Sequence, residues 1–445
     1  MLPLHRLPRA LTHTKGLPLY ATNPSLVDTR EGGRLFLVRV TPLTIGCSAL
    51  PVATVLAADY AENSWSVLAR LDDALHASAN WTILARIRNS QDARGLLLHH
   101  DKNEERSGLW VAHNTIPPHA AADARPGTSA EAPPSRMELL QYTWTSSSSW
   151  MRDSHHESTR QRYSSPRLRR RLQLSYAGSV AGVAEKNWVP LAITRDGGSD
   201  GASMLMSYSL QPHLVLRCAF NSGVCAHAYE TSSPDVWAPA LASLSGQVGR
   251  QCTGAHAVAS KSTHGVVMTP TPTAAKSARS SAAAASTSRP SHAADACNAS
   301  RGLPHTHPTP RGGTPCVPLL GTLVCLGHLK ARLRGQYKST YYHIFYSMEP
   351  HAPYTILNAS FPFRFATLGK AALESTRAAL GATFSRKLTS FLQEKIQFAT
   401  GLIRAAGGAE VIVSWGVADC TGATRSVPVK TVSALLARTL RVQAL

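Results

Sequence analysis

Four short stretches set charged or ring-bearing side chains beside glycine or proline at the ends of apolar runs, where a polar group can be displayed without being packed away. They are Glu31-Gly32-Gly33-Arg34; Glu185-Lys186-Asn187-Trp188-Val189-Pro190; Arg311-Gly312-Gly313-Thr314-Pro315, which runs on to His328; and Trp415-Gly416-Val417-Ala418-Asp419. Carboxylates such as Glu31, Glu185 and Asp419 can move protons or accept hydroxyls, and Arg34, Lys186 and His328 can hold an anion. Each stretch alone has a plainer reading. Gly32-Gly33 supplies the positive φ of a tight turn, Lys186-Asn187 suits a surface turn, Gly313-Thr314-Pro315 suits a loop, and His328 after nine mostly apolar residues suits a core.

The elements that would position these residues read as strands. Residues 34–46 form one apolar run, and shorter runs follow near 64–70, 81–88 and 108–112. From about 114 to 182 periodicity is lost, and the basic cluster Arg160, Arg162, Arg167, Arg169, Arg170 and Arg171 reads as a solvated, disordered insertion. Order returns near 183 with β-type runs separated by Gly-Gly, Pro and Asn221-Ser222-Gly223, up to about 253. The Ala/Ser/Thr/Pro tract at 254–310 reads as a linker that cannot bury enough surface to order itself. Strands resume over 311–445, interrupted by a helical patch at 369–392 with Leu373, Leu380, Phe384, Leu388 and Leu392 at helical spacing. Residues 1–27 read as a disordered or targeting-like segment: basic and without an acidic residue, faintly like a transit peptide, but broken by prolines.

Composition narrows the function classes. The 445 residues carry a net charge of +20, which raises a nucleic-acid hypothesis. The arginine cluster has only Tyr163 beside it, whereas single-stranded nucleic acid is usually gripped on interleaved aromatics, so that hypothesis is weak. Eight cysteines stand without a C-x-x-C pair, and His305 and His307 lack acidic or cysteine neighbours, so no metal site is expected. Cys218 and Cys225 flank a turn signal. With a loop of Ser222-Gly223 alone their sulfurs share a face diagonally across a hairpin, which leaves a disulfide open. No run approaches the roughly 20 apolar residues of a membrane helix.

Taken in order, the four stretches resemble the five-bladed β-propeller glycosidase-like superfamily, and among its members the inverting β-mannoside phosphorylases. That family has a Glu-Asp-Pro-Arg turn opening a strand, a Lys-Asn segment before an apolar-Pro stretch, a Gly-rich loop with a strand ending in His, and a last strand ending Tyr-Gly-Ala-Ala-Asp. Here Glu31-Gly32-Gly33-Arg34 stands for the first, Lys186-Asn187 for the second, Gly313-Thr314-Pro315 through His328 for the third, and Ser414 through Asp419 for the fourth. The likeness spans about 31–46, 184–237 and 311–430. It implies an all-β, five-bladed propeller with long disordered insertions and one helical insertion. About twenty strands, four per blade, would fill such a ring, while the runs with strand character number roughly twelve to fourteen, so an incomplete ring is also open.

The resemblance also implies a chemistry. Inverting cleavage of a glycosidic bond needs an acid for the leaving oxygen and a nucleophile on the opposite face of the sugar. In a phosphorylase that nucleophile is inorganic phosphate, so cations and hydrogen-bond donors that hold a dianion replace the second carboxylate. By analogy Arg34, Lys186 and His328 would cradle phosphate, Asn187, Gly313, Thr314 and Asp419 would meet the sugar, and no organic cofactor or metal is called for. The acid position holds Gly32, which leaves Glu31 or Glu185 as substitute acids. The expected partner is therefore a glycan with or without inorganic phosphate. The alternatives are an inactive glycan-binding propeller that lacks the acid and a basic RNA-associated scaffold.

Overall fold

The computed structural model describes residues 20–28, 34–41, 65–71, 81–98, 108–115, 136–144, 166–178, 187–195, 202–244, 309–331, 340–365, 396–405, 407–417 and 421–443. These residues form a five-bladed β-propeller. Blade 1 is β1 (Tyr20–Asp28), β2 (Arg34–Thr41), β3 (Trp65–Leu71) and β4 (Trp81–Arg88), and blade 2 is β5 (Ser90–Leu98), β6 (Gly108–Thr115), β7 (Arg136–Thr143) and β8 (Arg167–Gln173). The two-residue β9 (Ser175–Tyr176) precedes blade 3, which is β10 (Val189–Arg195), β11 (Ala202–Leu210), β12 (His213–Ala219) and β13 (Val224–Thr231). Blade 4 comprises β14 (Pro310–Arg311), β15 (Val317–Leu319), β16 (Thr322–Ala331), β17 (Thr340–Met348) and β18 (Ile356–Ala359). Blade 5 comprises β19 (Gln397–Arg404), β20 (Glu410–Val417) and β21 (Thr421–Pro428). Helix α1 covers 234–244, and α2 is Val429–Gln443.

The first strands of the blades converge. β1 meets both β5 and β19, and β5 meets both β10 and β19, so the ring closes from blade 5 back to blade 1 around a narrow axis. Period-2 alternation explains how the blades stack. On β6, Leu109 and Val111 face Val27, Leu37 and Leu140, while Trp110 and Ala112 join Met137, Leu139, Trp188 and Met204. Both faces of a blade are thus buried, and a fully buried large apolar side chain is worth roughly 2–3 kcal/mol. Trp110 stacks on Phe220 of the next blade with ring centroids 4.2 Å apart. Helix α1 starts at Pro234 after Ser233, a favoured N-terminal pair, and sends Trp237, Ala240 and Leu244 into the core between blades 3 and 4. Val432 and Leu436 of α2 do the same between blades 4 and 5.

Polar groups also link blades. His213 Nδ1 donates to the Tyr354 carbonyl at 3.0 Å, which leaves Nε2 to accept from the Ser207 hydroxyl at 3.2 Å. Burial pushes the His213 ring down to about 4, so it is neutral at physiological pH. The tail of blade 2 crosses to blade 3, where β9 pairs in parallel with Val224 and Cys225 of β13. Tyr176 of β9 meets the Tyr208 ring edge-on at 5.4 Å, and Tyr208 meets Trp188 in the same way at 5.4 Å.

Several expectations are corrected. The segment 1–27 contains most of β1, the first strand of blade 1: its Asn23-Pro24 is a bulge, not a terminus of order, because a bulge tolerates a proline that cannot donate. The insertion expected at 114–182 holds β7, β8 and β9. Arg167, Arg169 and Arg171 are exposed on β8, the outer edge strand of its sheet, where charge discourages edge-to-edge pairing and erases the apolar signal. The ring has all five sheets, with 21 strands among the described residues, so it is not short of blades. α1 and α2 lie where only strands were expected, and the helical patch at 369–392 is outside the described residues, as is 254–308. Cys218 and Cys225 are bonded and sit directly opposite one another, not diagonally, because the connection runs from Ala219 to Val224. A second disulfide joins Cys316 to Cys325.

Candidate functional site at the propeller axis

Three first strands reach the axis with a residue in the left-handed region: Asn23 on β1 (φ 47°), Asp92 on β5 (φ 49°) and Asn187 just before β10 (φ 67°). Asn and Asp enter this region more readily than other side-chain-bearing residues. The strands bulge at Thr22/Ser25, at Gln91/Arg94 and, next to Asn187, at Pro190/Ala192. Such bulges re-aim a side chain out of the alternation, here toward the centre of the ring.

Arg94 is the hub of this cluster and is wholly buried. Its Nε donates to the Gly313 carbonyl at 2.5 Å, Nη1 to the Asp92 carbonyl at 3.1 Å, and Nη2 to Asn187 Oδ1 at 3.0 Å. One guanidinium thereby ties blades 2, 3 and 4, using the fixed fork that a lysine lacks. Its Cζ also lies 5.6 Å from the Phe398 ring centroid of blade 5. Burial pulls the Arg94 guanidinium down to about 10, opposed by the nearby Asp92, so it remains a cation at neutral pH. Gly313 is required where it stands, since a Cβ there would lie 2.5 Å from the Leu326 carbonyl oxygen.

Asp92 is held from the blade 1 side. Asn23 Nδ2 donates to its Oδ1 at 2.8 Å, and Arg39 Nη1 lies 3.7 Å from the same oxygen. Among the described residues no hydrogen bond or ion pair falls on Oδ2. The axis therefore carries a carboxyl with one oxygen anchored and the other uncommitted, beside a fixed cation.

Of the residues singled out from the sequence, the structure brings Asn187 and Gly313 together through Arg94. Thr314 is beside them but is engaged in holding its loop: its N–H donates to the Leu326 carbonyl at 3.0 Å, and its Oγ1 accepts from the Leu326 N–H at 3.1 Å. His328 joins through Phe398, whose ring it meets edge-on at 5.0 Å, and stacks on Tyr341 at 5.5 Å. Burial, with His343 and Arg94 nearby, drives His328 down to about 3. It is therefore a neutral ring, able to donate only from one nitrogen. Arg34 opens β2 opposite Asp28, which sets it five residues, roughly 17 Å, along β1 from Asn23. Glu31, Gly32, Glu185, Lys186 and Asp419 lie outside the described residues.

The residues that sequence reasoning missed are Asn23, Arg39, Asp92 and Arg94. A signal existed. Gln91-Asp92-Ala93-Arg94 keeps the Asp and Arg of the Glu-Asp-Pro-Arg turn at the same spacing, with Gln for Glu and Ala for Pro, and runs into Gly95-Leu96-Leu97-Leu98. Glu31-Gly32-Gly33-Arg34 matches only the outer two residues of that turn. Among the described residues no group of three His, Cys, Asp or Glu side chains is arranged to hold a metal, and no helix is long and apolar enough to cross a membrane.

No family model and no curated protein matches the chain. Solved structures do resemble it. A β-1,2-mannobiose phosphorylase from Listeria innocua, in complex with β-1,2-mannobiose, aligns over 98% of this chain and 96% of its own at 11% identity and a TM-score of 0.44. A protein from Parabacteroides distasonis, provisionally named a glycoside hydrolase, aligns over 92% and 87% at 10% identity and the same TM-score of 0.44. A mutant of the GH43 protein BlXynB from Bacillus licheniformis aligns over 90% of this chain and 49% of its own, at 9% identity and a TM-score of 0.32.

Proposed function

We propose that this propeller is a carbohydrate-active enzyme that transfers a glycosyl unit between a β-mannoside and inorganic phosphate or a sugar acceptor, with inversion, and that Asp92 is its general acid. The observation that carries the reading is Asp92 itself: a carboxyl on a bulged axial strand, fixed through Oδ1 by Asn23 and Arg39, with Oδ2 uncommitted. An acid so placed can deliver its proton to a leaving glycosidic oxygen while the nucleophile approaches the opposite face of the sugar. Arg94 holds Asn187 and the Gly313 loop in the ring around it, so that sugar-facing groups from three blades share one frame. Lys186, next to Asn187, serves as a cation for phosphate, and Asp419, between β20 and β21, accepts sugar hydroxyls. Glu31 and Glu185 are not needed as substitute acids. The glycan-binding alternative was motivated by a missing acid, and Asp92 takes that motive away.

The test is turnover by the purified full chain with a panel of β-linked mannobioses and inorganic phosphate, followed as mannose 1-phosphate. Asp92→Asn is expected to lower the rate by about 10²- to 10⁴-fold with the fold intact. Absence of phosphorolysis and of transfer across the panel, or an Asp92→Asn variant as fast as the parent, would sink the proposal.

A further inference from the structure

The junction of blades 5 and 1 is tied by side-chain hydroxyls. It carries three buried hydroxyl bonds that belong to no sheet ladder. Thr400 Oγ1 donates to the Pro24 carbonyl at 2.7 Å, Ser414 Oγ donates to the same carbonyl, and Ser25 Oγ donates back to the Thr400 carbonyl at 2.9 Å. Pro24 adjoins Asn23 inside the bulge, where the β1–β2 pairing jumps from Thr22↔Arg39 to Ser25↔Leu37. Its carbonyl is therefore turned out of the ladder, and both of its lone pairs are taken by blade 5. The backbone of β20 comes close enough to touch Asn23: a Cβ on Gly416 would lie 1.7 Å from Asn23 Oδ1. With Oδ1 against Gly416, the amide presents Nδ2 to Asp92.

We infer that Thr400 and Ser414 are positioning residues: by clamping Pro24 they fix the Asn23 amide and, through it, the Asp92 carboxyl. The inference rests on the role proposed for Asp92, but the clamp itself has a readout that does not depend on turnover. Neither hydroxyl is bonded to Asp92, so their effect must pass through the backbone at 23–24. A reacting group displaced by about 1 Å can lose up to about 10²-fold in rate. Thr400→Val, which keeps shape and removes the hydroxyl, and Ser414→Ala are each expected to lower kcat about tenfold or more while KM changes little. Thr400→Ser, which restores the hydroxyl, is expected to behave as the parent.

The activity-independent measurement is solvent exchange of the Asn23 side-chain amide, followed by NMR in asparagine-labelled full-length protein. Exchange is expected to accelerate in Thr400→Val and Ser414→Ala and to return to the parent value in Thr400→Ser. If the parent shows no turnover but the amide responds in this way, the clamp stands and the proposed reaction falls. An Asn23 amide unmoved by either substitution overturns the clamp, whatever happens to the rate. Should Ser414→Ala fail to fold, the Thr400→Val and Thr400→Ser pair decides alone.

Discussion

Blade 2 carries arginine at both edges of its sheet, and Arg94 at one edge is used in the opposite way from Arg167, Arg169 and Arg171 at the other. At the axis, Arg94 on β5 is completely buried, and its donors reach a carbonyl of its own blade, an amide of blade 3 and a carbonyl of blade 4. At the rim, Arg167, Arg169 and Arg171 on β8 are exposed, and Arg171 reaches the half-buried Glu138, Nε to Oε2, at 3.3 Å. Solvent screens and competes with the rim charges, whereas nothing replaces a donor lost from the axis. The lesson concerns the net charge of +20. What an arginine does here is set by its desolvation and its acceptors, and a total over the chain says little about it.

The comparison breaks most sharply at Arg94. Arg94→Ala leaves one buried and two partly buried acceptors without their donor and is expected to cost about 3–5 kcal/mol in urea unfolding. Arg94→Lys should recover less than half of that loss, because one ammonium cannot span three acceptors in different blades. A stability within about 0.5 kcal/mol of the parent for Arg94→Ala would erase the distinction between axis and rim.

A smaller effect is expected from groups buried without charge. His213 is held near 4 by burial, against an ordinary value near 6.5 when unfolded, so the unfolded chain binds the proton first. Its contribution is intact above about pH 6.5 and is lost as the pH falls from there toward 4, amounting to about 2 kcal/mol at pH 5. His328 and His343, both driven to about 3 by burial, act in the same direction. His213→Gln should flatten the dependence of unfolding free energy on pH between 6.5 and 5, and an unaltered slope would show that this ring is not protected from protons. At the rim, Arg167→Ser should shift stability by less than about 0.5 kcal/mol; a loss above about 1 kcal/mol would mean that β8 is not a solvated edge.

The same contrast explains what was legible in the sequence. Blades 3 and 4 showed themselves because β11, β12, β16 and β17 are apolar on both faces and end in recognisable turns. Several of the strands that escaped lie at the edge of a sheet, although β7, inside blade 2, escaped as well. β1 and β5 carry Asn23-Pro24 and Gln91-Asp92 because they bulge toward the axis, and a bulge looks like a turn in one dimension. β8 hides behind its arginines for the opposite reason, its solvent-facing edge. Within the candidate site, Asn187, Gly313 and Thr314 stood out in the sequence because they lie beside glycine or proline at the ends of apolar runs. Asp92 was not, since the Glu and Pro that flank the acid in the resembled turn are absent, and a search guided by flanks settles on Glu31 and Arg34.

The short β9 gives the ring an unexpected dependence. Its two residues belong in sequence to the tail of blade 2 but in space to blade 3, so the chain's repeat and the fold's repeat are out of phase by one strand. From Tyr176 a line of rings runs through Tyr208 to Trp188, the neighbour of Asn187 in sequence. The outer margin of one blade is thereby registered against the axial residue of the next, much as a key stitch in a hem sets the tension of the whole seam.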